Sequence, residues 1–365
     1  MNGPSPVGGP LRDRLFHGGP QPGLLPGTLS SQAGIPGSLP QHLQAVMAAG
    51  LSLRQRGYRG RFAPSPTGDL HRGNLRTALL SWLHARLQGG EWLLRIDDLD
   101  RPRNRPGAVQ RIVADLRWLG LDWDGPPLLQ SDRRGLYASV LSALRRAGHL
   151  YPCGCSRRLL ADISAPHGAL TVYPGFCRQG GIGWGPQQGR LPSWRLRLAD
   201  GPIRWQEESA RPGCLEGAAE VGDVVLRRAD GMVAYHLATA VDELSLGITT
   251  VVRGDDLWAS TGAQVAVEAL LGAPAPSYWH VPLWRDSQGL RLSKRDAAEG
   301  LEGLRQGGVD GPGVIGLLAA SLGLVPEASR LSAAELCQQL TLPLLMAAVH
   351  RPLTATPSEP SPDEA

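Results

Sequence analysis

Apolar residues occur along this chain in two patterns, as short continuous runs and as clusters at helical spacing. One short apolar run ends just before Pro64, and the run over residues 91–97 is suited to a buried parallel strand. Apolar residues at helical spacing fill three further stretches that end at glycines, residues 75–87, 109–119 and 136–144. Strands that alternate with helices of this length predict an α/β fold with a doubly wound, Rossmann-like parallel sheet.

The periodic pattern weakens from Tyr151 onward. Residues 151–222 are rich in Gly, Pro, Arg and Trp, which indicates an insertion in the sheet. Strand and helix signals then resume, with a hairpin signal at Ala229-Asp230-Gly231 and a helix that opens at Tyr235. We therefore predict a catalytic domain in two halves, at residues 57–150 and 223–300. A helical C-terminal region at residues 301–350 and a flexible tail at residues 351–365 would follow it.

The first part of the chain has a different composition. Residues 1–40 contain nine glycines and eight prolines, a fraction that is typical of disordered low-complexity segments. We predict that residues 1–56 form a disordered extension outside the fold. Met47 lies just before the first predicted strand and is a candidate for the true start of translation.

Composition and charge restrict the class of protein. The chain has 365 residues, 42% of them apolar and 19% charged, as in ordinary globular proteins. It has no apolar run near the roughly 20 residues that span a bilayer, and no secretory signal, so we expect a cytoplasmic protein without a membrane partner. A net charge of +4 mildly favours a polyanionic partner. Five cysteines, an odd number, argue against a disulfide framework.

The loop after the first strand has the features of a phosphate site. Pro64 and Pro66 impose a rigid, extended exit from the strand, and Gly68 and Gly73 permit close approach of a ligand to the backbone. The helix that follows would turn its free N–H groups and positive dipole end toward an anion. His71 and Asn74 would add side-chain donors.

A second basic loop contains an unusual residue. Lys294 is the only lysine in a chain whose lysines and arginines together number 37. A flexible ammonium suits a group that follows phosphate charge as it develops, whereas a guanidinium is a planar fork. Arg291-Leu292-Ser293-Lys294-Arg295 is therefore a candidate for a loop that contacts phosphate.

Other polar residues are expected at the same edge of the sheet. Asp97 follows the second strand, and Arg253 ends a β-branched strand. Because ligands of open α/β sheets gather at the carboxyl ends of the strands, these residues should meet in one cleft. A tyrosine hydroxyl and a guanidinium are well matched to a carboxylate, so Tyr235 and Arg253 are candidates to bind one.

Three cysteines fall within 25 residues of the insertion, at positions 153, 155 and 177. In a reducing compartment this spacing favours a structural zinc over a disulfide, with three unconnected buried thiols as the alternative. The chemistry of zinc makes His167 the first choice for a fourth ligand. Cys214 and Cys337 are expected to be ordinary core residues.

Several of these motifs together carry a family resemblance. Residues 61–74 resemble the first signature of class I aminoacyl-tRNA synthetases for glutamate and glutamine, and Leu292-Ser293-Lys294 resembles the second. Taken whole, residues 59–325 resemble the glutamyl-queuosine tRNA(Asp) synthetases, truncated paralogues of glutamyl-tRNA synthetase. Further matching runs are Arg95-Ile96-Asp97-Asp98, Trp123-Asp124-Gly125, Val241-Asp242-Glu243 and Val252-Arg253-Gly254.

The resemblance implies an ATP- and Mg²⁺-dependent enzyme that forms glutamyl adenylate. It then places the glutamyl group on queuosine at the wobble position of tRNA(Asp). The fold implied is the class I synthetase type with a zinc-bearing insertion. Because only 70 residues follow Arg295, we expect no anticodon-binding domain. We also expect a monomer.

The resemblance also implies roles for particular residues. It assigns glutamate binding to one group, Arg61, Phe62, Ala63, Pro64, Ser65, Asp97, Tyr235 and Arg253. It assigns ATP binding to a second group, His71, Gly73, Asn74, Ser293 and Lys294, of which His71 and Lys294 would be catalytic. For zinc it points to Tyr173 as the fourth ligand beside Cys153, Cys155 and Cys177.

Two positions depart from the family pattern. The family commonly has Glu where this chain has Asp97, and Lys where this chain has Arg291. The carboxylate of Asp97 would be one methylene shorter, which weakens its expected contact with a substrate ammonium. Three alternatives stay open: a truncated glutamyl- or glutaminyl-tRNA synthetase that charges a 3′ end, a non-catalytic paralogue that binds nucleotide or RNA, and a general adenylyl transferase.

Overall fold

The structure is a computed structural model, and it describes residues 39–156, 172–187, 189–284 and 300–350. In this part of the chain the first half contains helices α1 (Gln41–Arg54), α2 (Arg72–Arg86), α3 (Ala108–Trp118) and α4 (Arg134–Arg146) and strands β1 (Arg59–Phe62), β2 (Glu91–Ile96) and β3 (Leu128–Leu129). The insertion contains β4 (Leu150–Cys153), β5 (Ser193–Leu196), β6 (Pro202–Arg204), β7 (Cys214–Glu216) and β8 (Val225–Arg227). The second half contains α5 (Tyr235–Ser245), β9 (Thr250–Gly254), α6 (Ser260–Leu270) and β10 (Ser277–Val281). Four helices follow: α7 (Leu301–Gln306), α8 (Gly311–Ala320), α9 (Ala333–Gln339) and α10 (Leu342–His350).

The central strands are parallel, as the alternating pattern predicts. β1 pairs with β2, β2 with β3, and β9 with β10, all in the parallel sense. A backbone hydrogen bond from Thr249 N–H to the Arg59 carbonyl, 2.9 Å long, brings β9 beside β1. The carboxyl ends of β1, β2 and β9 therefore open at the same edge.

Helix α2 covers one face of this sheet. Its leucines at positions 75, 79, 80 and 83 are fully buried, in the same core cluster as the sheet residues Trp92, Leu94 and Val252. The glycine pair after the helix lets the chain turn back into β2, with Gly89 in the left-handed region at a φ of 62°. Burial of these leucines fixes the N-terminus of α2 at the carboxyl edge of β1.

The prediction that the disordered extension reaches residue 56 is wrong for residues 39–56. Helix α1 packs into the core with Leu43 and Met47 fully buried. A Cβ atom at Gly50 would lie 1.9 Å from the carbonyl oxygen of Leu244, so α1 and α5 approach closely. The glycine- and proline-rich composition stops at Pro40, and the apolar face of residues 43–50 then drives burial.

Met47→Ala is therefore expected to lower the free energy of unfolding by about 2–5 kcal/mol, because it deletes a fully buried side chain and leaves a cavity. Urea denaturation of the full chain measures this change. Ala48→Gln, on the exposed face of the same helix, is the control and should stay within about 0.5 kcal/mol. Equal, small effects of both changes would mean that α1 does not belong to the core.

The insertion forms antiparallel sheets of its own. β5 lies between β4 and β8, and β6 pairs with β7. Since β8 belongs to this sheet, the antiparallel part extends to Arg227, and the regular α/β pattern resumes at α5, later than the predicted residue 223. In the described residues, no helix combines the length and apolar character needed to cross a membrane.

Candidate functional site

One cavity of about 460 Å³ at the carboxyl edge of the parallel strands collects the predicted site residues. All eight residues assigned to glutamate and three of the five assigned to ATP line it: Arg61, Phe62, Ala63, Pro64, Ser65, Asp97, Tyr235, Arg253, His71, Gly73 and Asn74. The other two, Ser293 and Lys294, lie outside the described residues, as do Arg291 and His167. The sequence therefore predicted a set of residues that the fold brings together.

His71 caps helix α2 inside this cavity. Its Nδ1 accepts a hydrogen bond of 3.2 Å from the backbone N–H of Asn74. In the neutral ring the proton then sits on Nε2, which makes that atom a donor. Gly73 fits under the ring, because a Cβ there would lie 3.1 Å from two ring atoms of His71.

Arg61 is held by buried partners that sequence analysis gave no role. Its Nε donates to Glu243 Oε1 at 2.9 Å and its Nη1 to the Val252 carbonyl at 3.1 Å. Arg95 Nη1 donates to the same Glu243 oxygen at 3.2 Å. Burial would raise the pKa of Glu243, but the charges of Arg61 and Arg95 outweigh it and lower that pKa. Glu243 therefore stays ionised between two guanidinium groups.

Asp97 already has a partner inside the protein. Arg95 donates to both of its carboxylate oxygens, at 2.7 and 3.2 Å. The side chain is only 8% exposed, and burial raises the pKa of Asp97 to about 6, although Arg95 opposes the rise. A substrate ammonium would share this carboxylate with Arg95.

Arg253 is fixed by the side chains that surround it. It is 4% exposed, and it donates to His280 Nε2 at 3.1 Å, Gln264 Oε1 at 2.8 Å and Thr261 Oγ1 at 2.7 Å. Its guanidinium therefore has a single orientation in the wall of the cavity that it lines.

The insertion contributes to this arrangement through Glu207. Glu207 Oε2 lies 2.7 Å from His280 Nδ1, on the side of the ring opposite Arg253. Because His280 Nε2 accepts from Arg253, Nδ1 carries the proton and donates it to Glu207. Burial would raise the pKa of Glu207, but its hydrogen bonds from His280 and Trp205 prevail and lower it to about 2. Glu207 and His280 were not among the predicted site residues, since neither lies in a recognisable motif.

Tyr235 stands at the start of helix α5 and is 39% exposed at the cavity mouth. In the described part of the chain its hydroxyl has no hydrogen bond, so it can bind a ligand. A second, larger cavity of about 790 Å³ begins here and shares Ser65, Asp97 and Tyr235 with the first. It extends to Cys155 and Tyr173 in the insertion, so there is space beside the site for a bulky acceptor.

The three predicted cysteines and Tyr173 lie together. The sulfur atoms of Cys153, Cys155 and Cys177 are within 4.8 Å of one another, and those of Cys155 and Cys177 are 3.6 Å apart. The Tyr173 hydroxyl lies 3.4 and 3.5 Å from the sulfurs of Cys153 and Cys155. With zinc–sulfur bonds of about 2.3 Å, sulfurs of a tetrahedral site are about 3.8 Å apart, so this donor set fits the ion.

Known proteins with similar sequences belong to the family that the motifs resemble. The family model described as "tRNA synthetases class I (E and Q), catalytic domain" matches residues 58–170 and 197–310. The Glutamyl-Q tRNA(Asp) synthetase of Prochlorococcus marinus (strain MIT 9303) is 57% identical over 302 residues, which are 83% of this chain and 94% of that protein. The protein of the same name from Symbiobacterium thermophilum is 45% identical over 287 residues, covering 73% of this chain and 87% of its own length.

A solved structure shows the same fold. It is a glutamate tRNA ligase from Elizabethkingia meningosepticum in complex with its amino acid, with a TM-score of 0.63 and 27% identity. The alignment covers 80% of this chain and 66% of that one, so the chain spans slightly less than two thirds of the ligase.

Proposed function

Since the chain belongs to the class I tRNA synthetases for glutamate and glutamine, and among them to the glutamyl-Q tRNA(Asp) synthetases, we propose that it glutamylates queuosine in tRNA(Asp). One observation supports the proposal: a single cavity combines buried arginines, a buried carboxylate and a capped helix N-terminus. These are the groups that an amino acid and a nucleoside triphosphate require.

The glutamate would lie between the two arginines. Arg61 and Arg253 are buried cations oriented by their own partners, so they can pair with carboxylates without large reorganisation. Tyr235 and Ser65 would orient the substrate, and Asp97 would take the ammonium. Phe62, Ala63 and Pro64 form the adjacent backbone wall.

The triphosphate would lie at the N-terminus of α2. There His71 Nε2, the Asn74 side chain and the backbone near Gly73 offer donors to phosphate oxygens. We propose that Ser293 and Lys294 bind the phosphates, and that Mg²⁺ bound with ATP would supply positive charge against the charge that develops during the transfer.

The reaction would proceed in two transfers. A carboxylate oxygen of glutamate attacks the α-phosphorus of ATP, and pyrophosphate leaves. A hydroxyl of the queuosine ring then attacks the acyl carbon of the adenylate, its proton is lost, and AMP leaves with the electron pair of the broken bond. The protein's contribution is position and charge stabilisation, with no covalent enzyme intermediate.

The activation half of this proposal is tested by amino-acid-dependent exchange of label between pyrophosphate and ATP. Glutamate should support exchange, and glutamine and aspartate should support far less. Exchange with glutamine instead would indicate a glutaminyl enzyme. No exchange with any amino acid, together with retained ATP binding, would favour the non-catalytic paralogue.

The pH dependence of activation should follow Asp97. Because its pKa is about 6, the carboxylate becomes protonated as the pH falls below that value and loses its attraction for the ammonium. We expect kcat/KM for glutamate, which reports the free enzyme, to fall about 10-fold between pH 7 and pH 5. In Asp97→Asn the value should be low and flat over this range. A persistent decline in Asp97→Asn would assign the titration to another group.

We also propose that Cys153, Cys155, Tyr173 and Cys177 hold one structural zinc. Bound zinc would stabilise the fold of the insertion and so the position of Glu207. The sulfur and oxygen distances given above support this donor set. His167, which lies outside the described residues, stays the alternative fourth ligand.

Cys155→Ser should lower the zinc content of the purified protein from about one per chain to well below half, because a thiolate ligand is lost. Elemental analysis measures it. Cys214→Ser is the matched control, since Cys214 lies outside the cluster and should leave the zinc content unchanged. Equal zinc content in both variants would contradict the site.

A further inference from the structure

A third cavity, of about 470 Å³, has no role in glutamate or ATP binding as described above. It lies between helix α4 and the hairpin after β8, with Leu141, Trp194 and Val233 among its apolar walls. It shares Leu99 and Met232 with the large cavity that begins at Tyr235. The glutamate site, the large cavity and this third cavity therefore follow one another across the surface.

Arginines without acidic partners surround this cavity. Arg101, Arg134 and Arg227 line it, and Arg145 lies beside them over Trp194. In the described part of the chain none of the four has an ion pair or a hydrogen bond from its side chain. Arginines elsewhere, such as Arg86 and Arg330, pair with aspartates. The one carboxylate at the cavity, Asp230, is already bound by Arg228 at 2.6 Å.

The same cavity presents aromatic surface from Trp194, which lines it. Outside the lining, Trp184 meets Trp194 edge to face with ring centroids 5.2 Å apart. Arg145 lies 4.1 Å over the ring of Trp184, and Arg227 lies 4.9 Å over that of Trp194. The ring of Trp194, beside guanidinium groups that have no acidic partner among the described residues, suits a ligand that carries both flat rings and negative charge.

We propose that this cavity binds a nucleotide of a single-stranded RNA loop next to the base that is modified. The inference rests on the proposed function for the loop that would be bound. A nucleotide strand supplies a phosphate and a base at every unit, so it satisfies the arginines and the tryptophan together, which an acidic peptide does not. The series of cavities would then place one base at Tyr235 and a neighbouring nucleotide against Trp194.

The test compares Arg134→Gln/Arg227→Gln with the charge-matched control Arg111→Gln/Arg330→Gln. The probes are queuosine-containing tRNA(Asp) and the same tRNA without queuosine, and the dissociation constant is measured at several salt concentrations without ATP. We expect the first pair to weaken binding by about 10- to 100-fold and to reduce the salt slope by about 1.4–1.8. The control should leave both quantities unchanged.

Trp194→Leu provides an independent readout. Loss of stacking should weaken binding by about 10-fold and leave the salt slope unchanged, because a base contact releases no counterions. Glutamate-dependent exchange without tRNA should stay normal in all these variants, which shows that they are folded.

The outcomes separate this inference from the proposed function. Unchanged tRNA affinity in the arginine pair would overturn the nucleotide cavity even if the enzyme modifies tRNA(Asp). If tRNA affinity falls in Arg134→Gln/Arg227→Gln but not in the control variant, nucleotide binding in this cavity is supported even if no queuosine is modified. An equal loss of tRNA affinity in the control variant would show that net charge alone explains the effect, and it would also overturn the inference.

Discussion

Glu243→Gln is expected to lower the free energy of unfolding by about 3–5 kcal/mol. Glu243 is 1% exposed and accepts hydrogen bonds from Arg61 and Arg95, both buried. Removing its charge while keeping its shape leaves these guanidinium groups with only part of their compensating charge in a site from which water is excluded. The cost of uncompensated buried charge exceeds that of a lost surface ion pair several-fold.

Urea denaturation of the full chain measures this loss, with Glu327→Gln as the control. Glu327 is exposed and has no ion pair in the described residues, so its change should be within about 0.5 kcal/mol. A loss below about 1 kcal/mol for Glu243→Gln would show that the two arginines are compensated by other groups.

Arg253→Lys should reduce kcat/KM for glutamate in the exchange reaction by about 10²–10³-fold, which corresponds to about 3–4 kcal/mol. Lysine keeps the charge but not the planar fork that donates to His280, Gln264 and Thr261. A flexible ammonium would not hold one orientation toward a substrate carboxylate, and acceptors such as Gln264 would lose their donor.

The control for Arg253→Lys is Arg211→Lys. Arg211 is exposed and pairs with Asp255 at 3.1 Å, so it tests the same chemical change close to the site but outside it. Its kcat/KM should stay within about twofold. If Arg253→Lys also kept its kcat/KM while remaining folded, Arg253 would be a structural residue and not a ligand of glutamate.

Much of the catalytic fold could be predicted because local patterns agree with the packing. The strand predicted before Pro64 and the one predicted at residues 91–97 correspond to β1 and β2, and the leucines from Leu75 to Leu83 are buried on α2. The loop from Arg61 to Asn74 could be interpreted as a binding site since the prolines, glycines and helix start are adjacent in sequence.

Helix α1 shows where composition misled the prediction. The glycine- and proline-rich composition ends at Pro40, but the 14-residue helix beyond it was assigned to the same extension. The spacing of Leu43, Met47 and Gly50 carried the missing signal. Gly50 could be understood only from its contact with α5, which is distant in sequence.

The partners of the site residues were beyond prediction for a similar reason. Glu207 reaches His280 across 73 residues, and Glu243 reaches Arg61 across 182. Neither pair has a local pattern, because each depends on how the insertion and the two halves of the sheet pack together. A sequence can indicate which residues face a ligand more readily than which residues hold them in place.

The central claim is that the glutamyl acceptor is the queuosine base. The most direct measurement follows labelled glutamate with ATP into two preparations of tRNA(Asp), one that contains queuosine and one that lacks it. We predict label only on the queuosine-containing tRNA, removed when the anticodon loop is excised by nuclease. Label on queuosine-free tRNA, or label that stays with the 3′ end, would contradict the claim and indicate a synthetase that charges tRNA.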